Sequence, residues 1–119
     1  MAMLNLYHGT SRENLKSLLE KGILPWNIIG KHNWESESDL EGIFTPKKDC
    51  VYLGSFSKAK NYANSMGNGI ILGVKVNVNR LEFDEDSFQD NWKDSLRFNG
   101  TCAYHGTIFP EQIKKIIYL

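Results

Sequence analysis

One stretch, GIILGVKVNV at residues 69–78, constrains the fold of this chain more than any other. Apolar and β-branched residues fill it almost without interruption, and this pattern predicts a central β-strand. The chain has 119 residues, which is enough for one compact domain with a core of its own. We therefore expect a single domain spanning residues 1–119, with this strand near its middle.

Shorter strands and two helices are predicted around the central strand. LNLY alternates apolar and polar residues as a strand does, and SRENLKSLLEKG repeats leucine at helical spacing before Gly22. CVYLG predicts another strand, and SFSKAKNYANSMG carries an apolar stripe that predicts a second helix. LRFNGTCAYHGTI and KKIIYL predict closing strands. This order predicts an α+β domain in which two small β-sheets are flanked by helices.

Residues 26–48 show no helical or strand period, and glycine and proline interrupt them. A loop of this length is uncommon inside a compact domain and typically serves as a lid or a binding loop. We therefore expect these residues to help select a reaction partner.

Composition argues against several classes of function. The 14 basic and 14 acidic residues cancel, so no net charge steers the chain towards nucleic acid. Cys50 and Cys102 are too few and too far apart for a disulfide framework, and neither falls next to a histidine at ligand spacing, so no metal site is expected either. No run is long enough to cross a membrane, and the N-terminus lacks the features of a secretion signal. We therefore expect a cytoplasmic protein with two free thiols.

The tetrapeptide YHGT occurs twice, at residues 7–10 and 104–107. The copies are too far apart for a repeat array, whose period is about 20–50 residues. The first is predicted at a strand-to-helix junction, where glycine lets a ligand approach the backbone closely. His8 and Thr10 could there hydrogen-bond vicinal hydroxyls such as those of a ribose. The alternative is a turn histidine that bonds only a neighbouring carbonyl.

The second copy of YHGT is predicted within a strand that runs on towards Pro110. Because a histidine inside a strand more often has a structural partner than a catalytic role, we interpret His105 as a structural look-alike of His8.

Two tyrosines accompany the first YHGT copy. Tyr52 ends a predicted strand, and Tyr62 lies in the helix that follows. If that helix folds back, both rings can lie against one flat ligand, since aromatic rings stack well on planar heterocycles. The alternative is that Tyr62 belongs to the apolar face of an amphipathic helix.

Together these stretches resemble the ADP-ribosyltransferase superfamily, the NAD-using fold of poly(ADP-ribose) polymerases and rifampin ADP-ribosyltransferases. That family opens with a strand ending in His-Gly-Thr or His-Gly-Ser. An apolar strand ending in tyrosine follows, and then a helix of the form S-K-x-x-x-Y, which here starts at Ser57. Many small members close with G-x-I-x-P-E-x-I, which resembles YHGTIFPEQIKKI. The resemblance covers nearly the whole chain in order.

The resemblance implies an NAD-dependent mono-ADP-ribosyltransferase, a glycosyltransferase that releases nicotinamide from NAD and passes ADP-ribose to an acceptor. NAD would be the co-substrate, and no metal would be needed. A small chain of this kind suits a toxin, a phage effector or an antibiotic-modifying enzyme. The acceptor stays open between protein, nucleic acid, small molecule and water, and so does the oligomeric state.

The resemblance also assigns roles to individual residues. His8 would hold a ribose hydroxyl, and the backbone of Gly9 would hold the nicotinamide carboxamide with Thr10 in support. Tyr52 and Tyr62 would enclose the nicotinamide ring. Two alternatives stay open: from another class, a non-catalytic module that binds NAD or ADP-ribose, and, within the enzymes, an RNA 2′-phosphotransferase-like enzyme. The second needs a basic phosphate grip for which the sequence shows no matching arginine cluster.

A carboxylate is expected to face the positive charge that develops on the ribose. In the rifampin-modifying members it is an aspartate after the third strand, a place occupied here by LEFDEDSFQD. Asp84 and Asp86 are the nearest matches, and in an extended chain both point to the same face. The polymerases instead use a late glutamate where Thr101 stands here, so chain elongation is not expected. The alternative is that this acidic stretch is a solvated loop.

Overall fold

The computed structural model describes residues 2–25 and 49–119. The loop expected at residues 26–48 to select a reaction partner lies outside the described residues. None of the helices described is long and apolar enough to cross a membrane. The strands within the described residues are β1 Met3–Ser11, β2 Cys50–Gly54, β3 Gly69–Asn77, β4 Leu81–Glu82, β5 Thr101–His105 and β6 Ile113–Tyr118. The α-helices there are α1 Leu15–Lys21, α2 Phe56–Asn64 and α3 Trp92–Asp94.

These strands form one six-stranded sheet in the order β4-β5-β2-β1-β3-β6, and neighbouring strands run antiparallel. The predicted α+β class is therefore confirmed. The described strands form one sheet rather than the two small sheets expected, because β1 pairs with β3 on one side and with β2 on the other.

β3 lies in the middle of the core, as its apolar sequence predicts. On one face its side chains belong to the main core cluster, together with residues of β1, β2, β5 and α1. Those side chains are Ile70, Leu72, Val74 and Val76. On the other face Ile71 packs against Ala59 and Ala63 of α2. A strand covered on both faces reads as a continuous apolar run, which explains the sequence.

The first YHGT copy lies inside β1 and not at the predicted strand-to-helix junction. β3 pairs with β1 as far as Ser11, which opposes Gly69, so the strand continues past the tetrapeptide. Ser11 then caps a short 3₁₀ turn, Arg12–Asn14, and α1 follows. The helix ends at Gly22, whose φ of 84° suits glycine, as the sequence predicts.

Gly9 allows α2 to lie directly on β1. A Cβ atom at this position would stand 2.4 Å from the carbonyl oxygen of Ala59, closer than real Cβ contacts. The missing side chain therefore accommodates the helix, whereas the sequence interpretation reserved that space for a ligand.

Among the neighbouring strands described, β1 and β2 share the fewest register pairs. Tyr7 opposes Gly54, and within the described residues this is the single register pair between the two strands. Beyond it, Nδ1 of His8 lies 2.9 Å from the carbonyl oxygen of Tyr52. A side chain thus bridges the two strands where a backbone ladder would otherwise continue. This break in the ladder positions the site described next.

Candidate functional site

A cleft of about 290 Å³ opens at the break between β1 and β2. Residues of both strands, of α2, of the acidic segment after β4 and of the start of β5 line it. The structure therefore brings distant parts of the sequence together at this point. All predicted site residues except Thr10 line the cleft: His8, Gly9, Tyr52, Tyr62, Asp84 and Asp86.

Thr10 has a different role from the one predicted. Its buried hydroxyl oxygen accepts a hydrogen bond from Nδ2 of Asn14 at 2.9 Å. The contact ties the end of β1 to the 3₁₀ turn that follows. Thr10 therefore supports the strand that carries His8 and does not itself face a ligand in the cleft.

His8 presents one ring nitrogen to the protein. A carbonyl oxygen only accepts hydrogen bonds, so Nδ1 must carry the proton in its contact with Tyr52. Burial lowers the pKa of His8, with the hydrogen bond to the Tyr52 carbonyl opposing that shift, so the ring is neutral at neutral pH. In this tautomer Nε2 is an acceptor. A buried histidine that lines a cleft can thus accept a hydrogen bond from a ligand hydroxyl.

The carbonyl contact predicted by the alternative interpretation is therefore real. It does not exclude a binding role, because it uses only one of the two ring nitrogens.

Tyr52 connects the cleft to a carboxyl group that sequence reasoning missed. Its hydroxyl donates to Oε1 of Glu85 at 2.5 Å. Oε2 of Glu85 is buried and has no hydrogen-bond partner in the described part of the chain. Burial raises the pKa of Glu85, the Tyr52 bond opposes the shift, and the charges of Asp84 and Asp86 add to it. A carboxyl group with a raised pKa beside a cleft is typical of functional sites.

The argument from alternation assumed that the acidic segment is extended, but the segment forms a turn. Glu85–Ser87 forms a 3₁₀ turn, and Asp84 is its N-cap. Oδ1 of Asp84 accepts from the backbone N–H of Asp86 at 2.9 Å, and Oδ2 accepts from the Thr101 hydroxyl at 2.6 Å. Both carboxylate oxygens of Asp84 are therefore used to hold the turn against β5.

Asp86 is the more available of the two predicted acids. Its carboxylate lines the cleft and accepts no hydrogen bond from the residues that the structure describes. Burial, followed by the charge of Asp84, raises the pKa of Asp86. A raised pKa makes a carboxylate a stronger base, so Asp86 can accept a proton more readily than an ordinary surface aspartate.

Oxygen ligands for a cation are also close together in this turn. One carboxylate oxygen each from Asp84, Glu85 and Asp86 lie within 4.8 Å of one another. Carboxylate oxygens are the ligands that Mg²⁺ takes beside the phosphates of a nucleotide. The expectation of no metal site rested on the spacing of cysteines and histidines and did not consider these three acids.

His105, in the second YHGT copy, does not line the cleft. It ends β5 with an exposed side chain, and its Nδ1 lies 3.1 Å from Oδ2 of Asp49 and 3.4 Å from Oε2 of Glu82. The two copies of YHGT therefore stand in different surroundings.

No family model matches the chain. Over 76 residues it is 37% identical to a dTTP/UTP pyrophosphatase of Ruminiclostridium cellulolyticum. This match covers 64% of the chain, which spans 38% of that protein's length. The similarity is to an enzyme that acts on pyrimidine nucleotides. It contradicts the expected NAD-dependent mono-ADP-ribosyltransferase activity, and with it the description as a glycosyltransferase, toxin or phage effector.

Proposed function

We propose that the cleft binds a nucleotide and that the protein hydrolyses it, with dTTP or UTP as the class of substrate. The observation that carries this proposal is the lining of one cleft by a neutral histidine, three tyrosines, a lysine and two aspartates. The similarity to a dTTP/UTP pyrophosphatase supports the choice of a pyrimidine nucleoside triphosphate.

For the nucleoside part, the cleft offers aromatic rings and a histidine. Tyr52 and Tyr62 offer rings on which a planar base can stack. Nε2 of His8 can accept a hydrogen bond from the 3′-hydroxyl, which dTTP and UTP share. Ligand pockets generally measure about 300–1,000 Å³, so a cleft of about 290 Å³ lies near the lower end of that range.

For the phosphate part, the cleft offers Lys58 and Asp86, which both line it. Lys58 supplies positive charge for a phosphate oxygen. Asp86 can take a proton from water as its oxygen attacks the α-phosphorus. The bond from that phosphorus to the oxygen bridging the α- and β-phosphates then breaks. The products are a nucleoside monophosphate and pyrophosphate, and the proton passes from Asp86 to solvent.

We also propose NAD as a ligand of the same cleft. Its ribose offers a hydroxyl to His8, and its nicotinamide ring offers a planar surface to Tyr52 and Tyr62. These are the roles that the resemblance to the ADP-ribosyltransferase superfamily implies. In that role the protein would bind NAD without transferring ADP-ribose.

The test compares binding and turnover in the same preparation. Isothermal titration measures the affinity for dTTP, UTP, ATP, NAD and ADP-ribose, and a coupled assay with Mg²⁺ measures pyrophosphate release. We expect dTTP or UTP to bind more tightly than ATP and to yield pyrophosphate. Asp86→Asn should bind the triphosphate and release no pyrophosphate above background.

Binding of NAD alone, with no pyrophosphate from any triphosphate, would leave a binding protein and reject the hydrolase. Failure of every nucleotide to bind would reject the assignment of the cleft altogether.

A further inference from the structure

Four side chains that could bind a metal ion meet at the end of the sheet where β2, β4 and β5 lie side by side. We call them the β2–β5 cluster, and its members are Asp49, Cys50, Glu82 and His105. None of them lines the nucleotide cleft. The proposed function gives them no role, and neither does the similarity to the pyrophosphatase.

Donor atoms of Asp49, Cys50 and His105 all lie within 4.8 Å of one another, and Glu82 approaches two of these three residues. The individual contacts are close to the distances between the ligands of a tetrahedral zinc ion. With Zn–N and Zn–O near 2.1 Å and Zn–S near 2.3 Å, the ligands stand about 3.4 Å apart for nitrogen and oxygen, and about 3.6 Å for sulfur and oxygen. Nδ1 of His105 lies 3.1 Å from Asp49 and 3.4 Å from Glu82. Sγ of Cys50 lies 3.6 Å from a carboxylate oxygen of each of the same two residues.

Strand pairing makes this arrangement a property of the fold and not of chance surface contacts. Cys50 and His105 are register partners across β2 and β5. Glu82 belongs to β4, which pairs with the other edge of β5. The carbonyl oxygen of Asp49 accepts from the backbone N–H of Gly106 at 2.8 Å, so Asp49 is held beside the end of β5. Ligands that the backbone positions in advance lower the cost of binding an ion.

We propose that the β2–β5 cluster binds a zinc ion. The donor set of one thiol, one imidazole and two carboxylates belongs to the group that zinc accepts, and the thiol and imidazole disfavour Mg²⁺ and Ca²⁺. Cys50 is buried, while the side chains of Asp49, Glu82 and His105 remain 43–52% exposed, so an ion can reach the cluster from solvent. On binding, the S–H bond of Cys50 breaks, the S–Zn bond forms and the proton leaves to solvent.

The experiment uses the whole chain after treatment with a chelator. Zn²⁺ is titrated in competition with a chromophoric chelator, and Co²⁺ is added separately as a spectroscopic probe. We expect one Zn²⁺ per chain, and a Co²⁺ complex with a thiolate-to-metal charge-transfer band and the intense visible bands of four-coordination. His105→Ala should weaken Zn²⁺ binding by about 10–100-fold or more, since even changes beyond the ligands cost about that much.

The two cysteines provide a matched pair of variants. Cys50→Ala should abolish the charge-transfer band, whereas Cys102→Ala should keep it, because Cys102 is equally buried but lies outside the cluster. Circular dichroism checks that each variant is folded. Absence of stoichiometric Zn²⁺ binding would overturn the proposal. So would a Co²⁺ complex of the unmutated chain without a thiolate band, or unchanged affinity in a folded His105→Ala.

Discussion

The hydroxyl of Tyr52 lies 2.5 Å from Oε1 of Glu85, and this contact joins the aromatic wall of the cleft to the acidic turn after β4. Tyr52 therefore presents its ring to the cleft and its hydroxyl to a half-buried carboxyl group. The sequence assigned it only a stacking role. Because Oε2 of Glu85 is buried without a partner among the described residues, the Tyr52 bond helps to offset the cost of holding that carboxyl group inside.

Tyr52→Phe is expected to destabilise the fold while leaving the stacking ring in place. The change removes the donor to Glu85, and a buried polar group left unpaired costs about 1–3 kcal/mol. Urea unfolding at neutral pH measures that cost, and isothermal titration should show nucleotide affinity close to that of the unmutated protein.

A second variant, Glu85→Gln, provides the control for this pair. It removes the buried charge but keeps an oxygen that can accept from Tyr52. In the double variant the cost of Tyr52→Phe should be smaller, and a double-mutant cycle isolates the coupling. Equal costs in the two backgrounds would mean that the charge of Glu85 adds nothing to the contact with Tyr52.

His8→Ala is expected to weaken nucleotide binding by about 1–3 kcal/mol, because a ligand hydroxyl buried in the cleft would lose its acceptor. His105→Ala is the matched control. It removes the histidine of the other YHGT copy, which does not line the cleft. Isothermal titration with UTP and with NAD measures both affinities. Equal losses in two folded variants would disprove the assignment of the site to the first copy.

Asp84→Asn and Asp86→Asn are expected to fail in different ways. Both oxygens of Asp84 accept hydrogen bonds that hold the acidic turn, so the amide should lower the free energy of unfolding by about 1–3 kcal/mol. Asp86→Asn should leave stability unchanged and reduce pyrophosphate release by about 10²–10⁴-fold, the range for a general base. Thermal unfolding and the release assay measure the two effects. Loss of stability in Asp86→Asn and loss of activity alone in Asp84→Asn would contradict these roles.

Acid is expected to destabilise the protein through His8. Burial lowers the pKa of His8 below its ordinary value of 6.5, so below that pH the unfolded chain binds the proton more readily than the folded one. The stability that the protein has with a neutral His8 is fully present above pH 6.5, and it is lost as the pH falls towards the pKa of the folded state. The free energy of unfolding should therefore drop more steeply between about pH 7 and pH 5 than in His8→Gln.

The raised pKa values of Glu85 and Asp86 act in the opposite direction, since they favour the folded state as the pH falls. Both groups are present in the unmutated protein and in His8→Gln, so the difference between the two curves reports the histidine. Parallel curves would show that His8 has the same proton affinity in the folded and unfolded chain.

Much of the fold could be predicted from local pattern. The apolar run at residues 69–78 contains β3, which is covered on both faces but lies next to the edge strand β6, and the leucine period before Gly22 is α1. The end of β1 could not be predicted, because pairing with β3 extends it past the glycine that suggested a junction. The joining of the strands into one sheet could not be predicted either, since it depends on β1 pairing on both of its edges.

The site, like the fold, was predictable only where local sequence pattern decides the structure. The order of the motifs placed His8, Tyr52 and Tyr62 around one cleft. Period-two alternation failed at the acidic segment, because Asp84 caps a 3₁₀ turn and Glu85 turns inward. A signal for the turn was present, since aspartate is a preferred N-cap residue. The β2–β5 cluster left no mark in sequence spacing, because Cys50 and His105 meet only through strand pairing.

Within the part of the chain that the structure describes, Tyr7 and Gly54 form the single register pair between β1 and β2, so a ligand bound in the cleft would help to hold these strands together. A nucleotide in the cleft would contact β1 through His8 and β2 through Tyr52. It would therefore connect two strands that are joined by few contacts of their own. Occupancy would then decide whether the strands on either side of the break melt separately or together. We therefore expect the protein to unfold less cooperatively without a ligand than with one.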